Sequence, residues 1–353
     1  MFTSLSISGY RGFKTLAVER LGRVNLVAGS NGSGKTSLLE ALFLLAHGGN
    51  AQPAINRNVV RGGIGGGVTP DANARALWGS LFSDLDLLHP VSISAIHSHL
   101  GSLQLSIEHR YAAMFRVTST SRDTRPRIDG SHELHFLLTQ RLPDGRHGRS
   151  VKSRIFFERN APEVKVEGDP LVIQCVILSS CADHSEDDAK RLGQMRLRKE
   201  AGFVVEALRI IEPRLQAVDV IPGPGGHMLW GDIGLSEQIP LAVLGDGLNR
   251  LAKLVLAMGH DRNLVVLADE IENGFHHTVL EKVWKVIYET AERFETQLIA
   301  TTHSFESIEA AHAASPGHDL ALHRLELGDH ITRCVTYDAD SIEGAVKHGL
   351  EVR

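Results

Sequence analysis

The stretch GSNGSGKT has the residue types and the spacing of a loop that holds the phosphates of a nucleotide. Its glycines let backbone amides turn toward a phosphate chain without obstruction by a Cβ, and the N-terminus of the following helix adds partial positive charge. In such a loop, Lys35 reaches the β- and γ-phosphates and the Thr36 hydroxyl ligates Mg2+. An apolar run before the loop and a helical pattern after it disfavour the alternative, a fortuitous glycine-rich turn. The predicted ATP-binding residues are Gly29, Ser30, Asn31, Gly32, Ser33, Gly34, Lys35, Thr36 and Ser37.

Two acidic residues end a second apolar run, NLVVLADE. A buried strand of this kind places its last residues at the carboxyl edge of the sheet, beside the phosphate loop. Asp269 is therefore predicted to hold Mg2+ together with Thr36, and Glu270 is predicted to polarise the attacking water. Acidic residues also end strands in proteins of other functions, so this prediction depends on the phosphate loop.

A histidine ends a third apolar run, LIATTHS. Histidines at strand ends more often have a structural role. Because this strand end points to the same edge of the sheet as the other two, His303 is predicted to sense the γ-phosphate. The sequence has no His-Glu-x-x-His pattern for a metal. The remaining histidines are interpreted as surface or core residues, among them His97, His99, His276 and His277.

Strand patterns dominate the first half of the chain. Residues 4–29 alternate in polarity and predict short strands, the last of them buried at 24–28. A helix is predicted over 35–48, and the Gly- and Asn-rich stretch 48–70 is interpreted as a mobile connection. Residues 91–179 are predicted to form strands, and the hairpin-type turn PDGRHG within them favours an antiparallel arrangement.

Helices return in the second half of the chain. Helical periodicity covers 187–215 and is broken by IPGPGG before a short pair of strands. The last third alternates strands with helices, the latter at 278–294 and 307–314. This βαβ rhythm predicts a mostly parallel sheet.

The composition is that of a globular protein. The 353 residues allow two domains or one large divided domain, and 42% of the residues are hydrophobic and 22% charged. No apolar run reaches the roughly 20 residues of a membrane span, and the N-terminus lacks a secretory pattern. We therefore expect a cytoplasmic protein without a membrane partner.

The chain has three cysteines: Cys175, Cys181 and Cys334. They are too few and too scattered for a disulfide framework or a zinc site. They are therefore interpreted as buried thiols.

The overall charge does not indicate nucleic-acid binding. The chain has 37 basic and 42 acidic side chains, for a net charge of -5. Two local basic stretches, residues 110–127 and 190–199, offer candidate contacts for nucleic acid. Charge runs of this kind are more often solvated faces, so direct DNA contact stays open.

The phosphate loop, the acidic strand with its Glu and the strand-end His, in this order, resemble the ATP-binding-cassette (ABC) class of ATPases. The resemblance implies an α/β fold: a P-loop NTPase of the ABC-ATPase type, with a mostly parallel core sheet, an antiparallel β subdomain and a helical signature lobe. Residues 1–180 and 261–353 are expected to form the two parts of the nucleotide-binding lobe, and residues 181–260 the signature lobe. The glutamine loop of the class has no clear position, because Gln174 is predicted within a strand and Gln194 within a helix.

The stretch LGDGLNRLAKL occupies the place of the signature of this class, ahead of the acidic strand. In that class a Gly-rich turn at a helix N-terminus closes on the γ-phosphate of a second subunit, so that a dimer completes each site. The resemblance assigns this role to Gly245, Asp246 and Gly247, with an ordinary helix cap as the alternative. Compared with the transporter form Leu-Ser-Gly-Gly-Gln, Gly245 replaces the Ser and Leu248 the Gln, which argues against a transporter subunit.

A narrower resemblance covers about half of the chain. The segments LGDGLNRL, DEIENGFHHTVLEKVW, QLIATTHSFESIEAA and GLEVR look like stand-alone ATPases related to the OLD (overcoming lysogenization defect) family, among AAA-type and RecF-like relatives that include ATPase subunits of bacterial anti-phage systems. SGYRGFK resembles the family's first strand and turn, where Arg11 or Phe13 approaches the nucleotide. OLD nucleases carry a Toprim domain, for which the chain, ending at Arg353, leaves no room. The expected effector is therefore a separate polypeptide.

Three functions are compatible with these features. The leading hypothesis is an ATPase that dimerises around two Mg-ATP molecules and controls a separate effector, a Toprim-type or HNH-type nuclease of a defence system; a higher oligomer stays open. The second is a nucleotide-dependent scaffold with little turnover. The third is a RecF-like repair ATPase, which predicts salt-sensitive DNA binding and is disfavoured by the balanced charge.

Overall fold

The computed structural model describes most of the chain, in nine segments. Three features predicted from the sequence fall outside the described residues: most of the connection at 48–70, Cys181 and the C-terminal GLEVR. Most of the basic stretch 110–127 also lies outside the part whose side chains are described. The described residues are 1–53, 78–116, 127–158, 161–179, 185–223, 226–315, 320–328, 331–337 and 341–344.

Strands are numbered along the described part of the chain, and helices likewise. The strands are β1 (Phe2–Tyr10), β2 (Phe13–Val18), β3 (Val24–Gly29), β4 (Val91–His97), β5 (Gly101–Arg116), β6 (Arg127–Arg141), β7 (His147–Glu158), β8 (Ala161–Glu167), β9 (Cys175–Leu178), β10 (Ala217–Gly223), β11 (Gly226–Asp232), β12 (Ile239–Pro240), β13 (Val265–Ala268), β14 (Gln297–Thr301), β15 (Leu320–Gly328) and β16 (Ile331–Tyr337). The helices are α1 (Lys35–Ala46), α2 (Ser185–Leu197), α3 (Ala201–Leu208), α4 (Leu241–Leu244), α5 (Asp246–Gly259), α6 (Leu280–Arg293) and α7 (Phe305–Ala313). Short 3-10 turns lie at Gly79–Leu81, Ser83–Leu85 and His277–Val279.

A core sheet of six strands carries the ends of the three apolar runs. Its order is β16-β15-β3-β14-β13-β9, and all neighbours are parallel except the edge pair of β15 and β16. Every residue of β3, β13 and β14 is buried, as expected for central parallel strands that are covered on both faces. The mostly parallel core sheet predicted from the βαβ rhythm is confirmed.

A second sheet is wholly antiparallel and has seven strands, in the order β2-β1-β4-β5-β6-β7-β8. The turn predicted at PDGRHG joins β6 to β7, where Leu142 N donates to Arg146 O over 2.9 Å. Alternating burial in β4 puts one face of this sheet against a core and leaves the other to solvent. The structure therefore contains the predicted antiparallel subdomain.

The last strand of the segment predicted to be antiparallel belongs elsewhere. The strand β9, within 91–179, pairs in parallel with β13 at the edge of the core sheet. The antiparallel assignment was therefore wrong for these four residues. A short apolar run does not encode the direction of its neighbour, and the choice of partner here is tertiary: Asp269 N donates to Leu178 O over 2.9 Å.

Two hydrophobic cores lie on opposite faces of the core sheet. On β13, Val266 faces the core shared with the helices, whereas Val265 and Leu267 face the core shared with α1 and the antiparallel sheet. A fully buried glutamine ties the sheets together: Gln297 Nε2 donates to Phe2 O over 2.7 Å, and its Oε1 accepts from Phe2 N over 2.8 Å. These two bonds fix the antiparallel sheet against β14, the strand that leads to His303.

The helices and a three-stranded sheet of β10, β11 and β12 form the third part of the structure. In this part, α5 contacts α2, α3 and α6, and its apolar residues are buried on that side. The predicted α/β fold with a helical lobe is confirmed. The division at residues 180 and 260 stays a prediction. Among the described residues, no helix combines the length and apolar character needed to cross a membrane.

Basic side chains of the stretch 190–199 are paired within the chain. Arg191 bonds Asp188 over 2.7 Å, and Arg198 bonds Glu200 over 2.8 Å. Arg196 pairs with Asp219. These pairs give the stretch a structural role, and DNA contact through it stays a prediction.

Candidate functional site

The loop between β3 and α1 needs glycine at its last position. Gly34, the residue before α1, has φ 98°, a left-handed conformation that side chains disfavour. A Cβ at Gly34 would lie 2.5 Å from the ring of Phe13, closer than any side chain tolerates. The glycine spacing of the motif thus lets the loop pass tightly over the second strand.

The two residues predicted near the nucleotide in SGYRGFK lie beside this loop. Phe13 is fully buried, with its ring against Gly34. Arg11 pairs with the buried carboxylate of Glu40 in α1, with 2.5 Å between Nη1 and Oε2. Both residues therefore support the loop and its helix, and a direct contact with the nucleotide stays a prediction.

Lys35 is buried at the start of α1. Its Nζ donates to Gly29 O over 2.6 Å and to Ser30 O over 3.0 Å, so the ammonium group lies inside the curve of the loop. Burial lowers the pKa of Lys35, and the charges of Asp269, Glu272 and Glu270 oppose that shift. These acidic neighbours favour the charged form of Lys35.

The Thr36 hydroxyl and the Asp269 carboxylate are adjacent. Thr36 Oγ1 donates to Asp269 Oδ2 over 3.0 Å. The other carboxylate oxygen, Oδ1, accepts from Thr301 Oγ1 over 2.6 Å, and the same hydroxyl accepts from Glu270 N over 2.8 Å. Hydroxyl and carboxylate oxygens are hard ligands of the kind that Mg2+ prefers, so these two residues fit the predicted metal.

Glu270 follows the acidic strand in a left-handed conformation with φ 50°. Its Oε1 lies 3.2 Å from His303 Nε2, and its Oε2 accepts from Asn273 Nδ2 over 2.6 Å. The predicted base and the predicted sensor are therefore in direct contact.

The backbone of His303 is fixed by a residue that the sequence analysis missed. Glu272 Oε1 accepts from His303 N over 2.9 Å. Two buried atoms here, His303 Nδ1 and Glu272 Oε2, have no hydrogen-bond partner among the described residues. Glu272 lies in the quoted segment DEIENG, so its proximity to the site was visible, but its contact with another strand end was not.

Residues of the phosphate loop, the two acidic residues after β13 and His303 line one cleft of about 230 Å³ at the carboxyl ends of β3, β13 and β14. The structure thus brings together the phosphate loop, the end of the acidic strand and the strand-end His, as predicted from strand ends that share one edge of the sheet. The lining residues are Asn31, Gly32, Gly34, Lys35, Thr36, Ser37, Asp269, Glu270 and His303.

The Gly-Asp-Gly turn lies at the start of α5 and does not line this cleft among the described residues. Gly245 has φ 136°, and the space around a Cβ built on it is open. Gly247 packs tightly, since a Cβ built on it would lie 2.8 Å from Gly274 O. From the same helix, Arg250 Nη2 donates to Asp269 O over 2.7 Å and to Glu270 O over 3.0 Å.

Comparison with protein families gives two matches along the chain. Residues 73–309 match the family described as "AAA domain, putative AbiEii toxin, Type IV TA system". Residues 4–71 match a family described as "AAA domain". The larger match covers more than half of the chain and includes the acidic strand and the strand-end His.

Individual proteins give weaker similarities. The chain is 22% identical over 336 residues to an ATP/GTP phosphatase of Helicobacter pylori, covering 88% of this chain and 87% of that protein. It is 40% identical over 63 residues to the DNA replication and repair protein RecF of Idiomarina loihiensis, covering 18% of each. A solved Smc head bound to the C-winged helix domain of ScpA aligns over 98% of this chain and 99% of that one, at 14% identity and a TM-score of 0.49.

Proposed function

Because the chain belongs to the AAA domain family described as a putative AbiEii toxin of a type IV TA system, we propose that it is a Mg2+-dependent ATP hydrolase. The observation that carries this proposal is the single cleft in which Lys35, Asp269 and Glu270 meet. A cation for the phosphates, an oxygen pair for Mg2+ and a carboxylate for water are then within one site.

Each residue has a defined task in the proposed reaction. Lys35 exchanges its bonds with the loop carbonyls for oxygens of the β- and γ-phosphates. Thr36 and Asp269 would hold Mg2+, which would neutralise negative charge on the phosphates when bound. Glu270 orients and polarises the attacking water. His303, whose Nε2 lies 3.2 Å from Glu270 Oε1, responds to the γ-phosphate.

A second copy of the chain completes the site in this proposal. The Gly-Asp-Gly turn is not among the described residues that line the cleft of its own chain, and the open surroundings of Gly245 leave its backbone accessible. The N-terminus of α5, which begins at Asp246, supplies amides and partial positive charge suited to a phosphate. Two chains would then enclose two Mg-ATP molecules, and association would depend on ATP.

The biological role we infer is control of a separately encoded effector in the cytoplasm. The family description names a putative toxin of a type IV TA system, and the role in defence against phage rests on the OLD resemblance. A Toprim-type or HNH-type nuclease is the effector that the OLD resemblance implies. Capture of partners by the Glu270→Gln variant in Mg-ATP, with mass spectrometry, tests this role: a stoichiometric nuclease-like protein supports it, and DNA without a protein partner favours the RecF-like alternative.

The enzymatic proposal is tested by steady-state hydrolysis with ATP and Mg2+. Glu270→Gln is expected to lower kcat by about 10²- to 10⁴-fold, the range typical of a lost general base, while ATP binding persists. Glu281→Gln, which changes an exposed glutamate paired with Lys285 on α6, is the matched control and is expected to leave kcat unchanged. Equal rates for Glu270→Gln and the unaltered chain would contradict the assignment.

A further inference from the structure

A side-chain amide holds the carboxylate of Glu270. Asn273 Nδ2 lies 2.6 Å from Glu270 Oε2, and the other oxygen, Oε1, lies 3.2 Å from His303 Nε2. An ionised carboxylate only accepts hydrogen bonds, so the amide nitrogen of Asn273 must be the donor. Each oxygen therefore has one partner from the chain, and the plane of the carboxylate is defined before any water arrives.

The turn that carries Asn273 is itself fixed. Asn273 N donates to Glu270 O over 3.1 Å, and Phe275 N donates to Glu272 O over 3.1 Å, which closes the backbone after the acidic strand. From behind, Arg250 of α5 bonds the carbonyl oxygen of Glu270 over 3.0 Å. The amide therefore projects from a turn whose position is set by neighbouring elements.

This turn also packs on the Gly-Asp-Gly turn of the same chain. Gly274 has φ 83°, and a Cβ at Gly274 would lie 3.6 Å from the backbone of Asp246. On the other side of the contact, a Cβ at Gly247 would lie 2.8 Å from Gly274 O. The residue that holds Glu270 is thus adjacent to the turn proposed to meet the nucleotide of a second subunit.

We propose that Asn273 is a positioning residue: its amide sets the orientation in which the Glu270 carboxylate accepts the attacking water. This inference rests on the proposed ATP hydrolysis. Asn273 is exposed and is not among the described residues that line the cleft. Its effect is therefore on kcat through Glu270, and the KM for ATP does not depend on it.

Two substitutions separate positioning from a merely structural role in the turn. Asn273→Ala removes the donor and is expected to lower kcat roughly 10-fold, because the carboxylate loses one of its two restraints. Asn273→Asp keeps the shape and the turn-forming side chain but places a second carboxylate against Glu270, and is expected to lower kcat roughly 100-fold. A structural role alone predicts the reverse order, since Asp suits a turn better than Ala.

Controls make the outcome specific to Glu270. Asn50→Asp adds the same charge at a site where the side chain accepts from Gln52 N, so it is expected to keep the rate of the unaltered chain. Thermal unfolding midpoints of both Asn273 variants are expected to match that of the unaltered chain, and the KM for ATP is expected to stay within about 2-fold because Asn273 touches no predicted ATP-binding residue. In a Glu270→Gln background, Asn273→Ala is expected to change the residual rate by less than about 2-fold.

The inference and the proposed function fail in different ways. A kcat that falls in Glu270→Gln as expected but is unchanged in Asn273→Asp would overturn this inference alone. A raised KM with unchanged kcat in both Asn273 variants would overturn it as well, since the residue would then act on nucleotide binding. An unaltered chain without turnover would overturn the proposed function and this inference together.

Discussion

Arg250 donates from Nη2 to the carbonyl oxygen of Asp269 over 2.7 Å, so the helix that begins at the Gly-Asp-Gly turn is hydrogen-bonded to the end of the acidic strand. Burial lowers the pKa of Arg250, and the charges of Glu270, Asp269 and Glu272 oppose that shift. An arginine stays protonated in such surroundings. Its charge therefore sits behind the three carboxylates and holds the backbone that carries two of them.

Arg250→Ala is predicted to impair both stability and turnover. It leaves the carbonyl oxygens of Asp269 and Glu270 without this donor, at a cost of about 1–3 kcal/mol in the free energy of unfolding. The carboxylates then lose their fixed position, and kcat is expected to fall about 10-fold or more. Arg262→Ala is the matched control, because Arg262 also bonds a backbone carbonyl, that of Arg293, but lies on the surface. Equal kcat values for the two variants would contradict the prediction.

Two glycine substitutions are predicted to have opposite effects on stability. Gly247→Ala places a Cβ 2.8 Å from Gly274 O, a backbone atom that must move, and is expected to cost about 1–3 kcal/mol in the free energy of unfolding. Gly193→Ala, inside α2, meets no atom within 4 Å and is expected to add about 0.5–1 kcal/mol because it restricts the unfolded chain. Urea unfolding measures both, and stabilisation by Gly247→Ala would show that the turns are not in contact.

A buried histidine is predicted to make the fold sensitive to acid. His323 is fully buried and bonds Thr336 Oγ1, and burial lowers its pKa from 6.5 to about 4. The unfolded chain therefore binds a proton that the folded chain does not, so this contribution is complete above pH 6.5 and is lost as the pH falls toward 4. The loss amounts to about 3 kcal/mol. His323→Gln is expected to flatten the dependence of the free energy of unfolding on pH in this window.

Asp188 acts in the opposite direction over nearly the same range. Burial raises its pKa to about 6, with Arg191 opposing the shift. The folded chain then holds a proton that the unfolded chain releases, so this contribution is present below the ordinary pKa of 3.8 and is lost as the pH rises through 6. If the free energy of unfolding depends on pH equally steeply in the His323→Gln variant and in the unaltered chain, His323 is not the source of the acid sensitivity.

The sequence predicted those site residues that combine a suitable side chain with a position after a recognisable apolar run. Lys35, Asp269 and His303 each follow an apolar run, and parallel strands bring such ends to one edge, so their meeting in one cleft was predictable. The direction of β9 was not predictable, since four apolar residues fit either sheet. Neither was the bond from Asn273 to Glu270, because a polar residue five positions beyond the end of a strand has no periodicity that indicates its contact.

Thr301 is predicted to tune the affinity for Mg2+ without touching the metal. Its Oγ1 donates to Asp269 Oδ1 over 2.6 Å and accepts from Glu270 N over 2.8 Å, so it fixes the carboxylate whose other oxygen faces Thr36. Thr301→Val keeps the shape and removes these bonds. Residues that orient a metal ligand typically contribute about 10- to 100-fold in metal affinity, and the Mg2+ concentration at half-maximal ATPase rate is expected to rise by that factor.

The adjacent threonine gives the comparison that isolates this effect. Thr302 is also fully buried, and its Oγ1 accepts from Ser304 N over 3.1 Å with no bond to Asp269. Thr302→Val therefore removes a buried hydroxyl of the same kind and is expected to lower stability but leave the Mg2+ requirement unchanged. If both variants need more Mg2+ for half-maximal rate, the cause is loosening of the end of β14 and not the loss of the bond from Thr301 to Asp269. A shift in neither would mean that the Thr301 hydroxyl serves the fold and that Asp269 keeps its orientation without it.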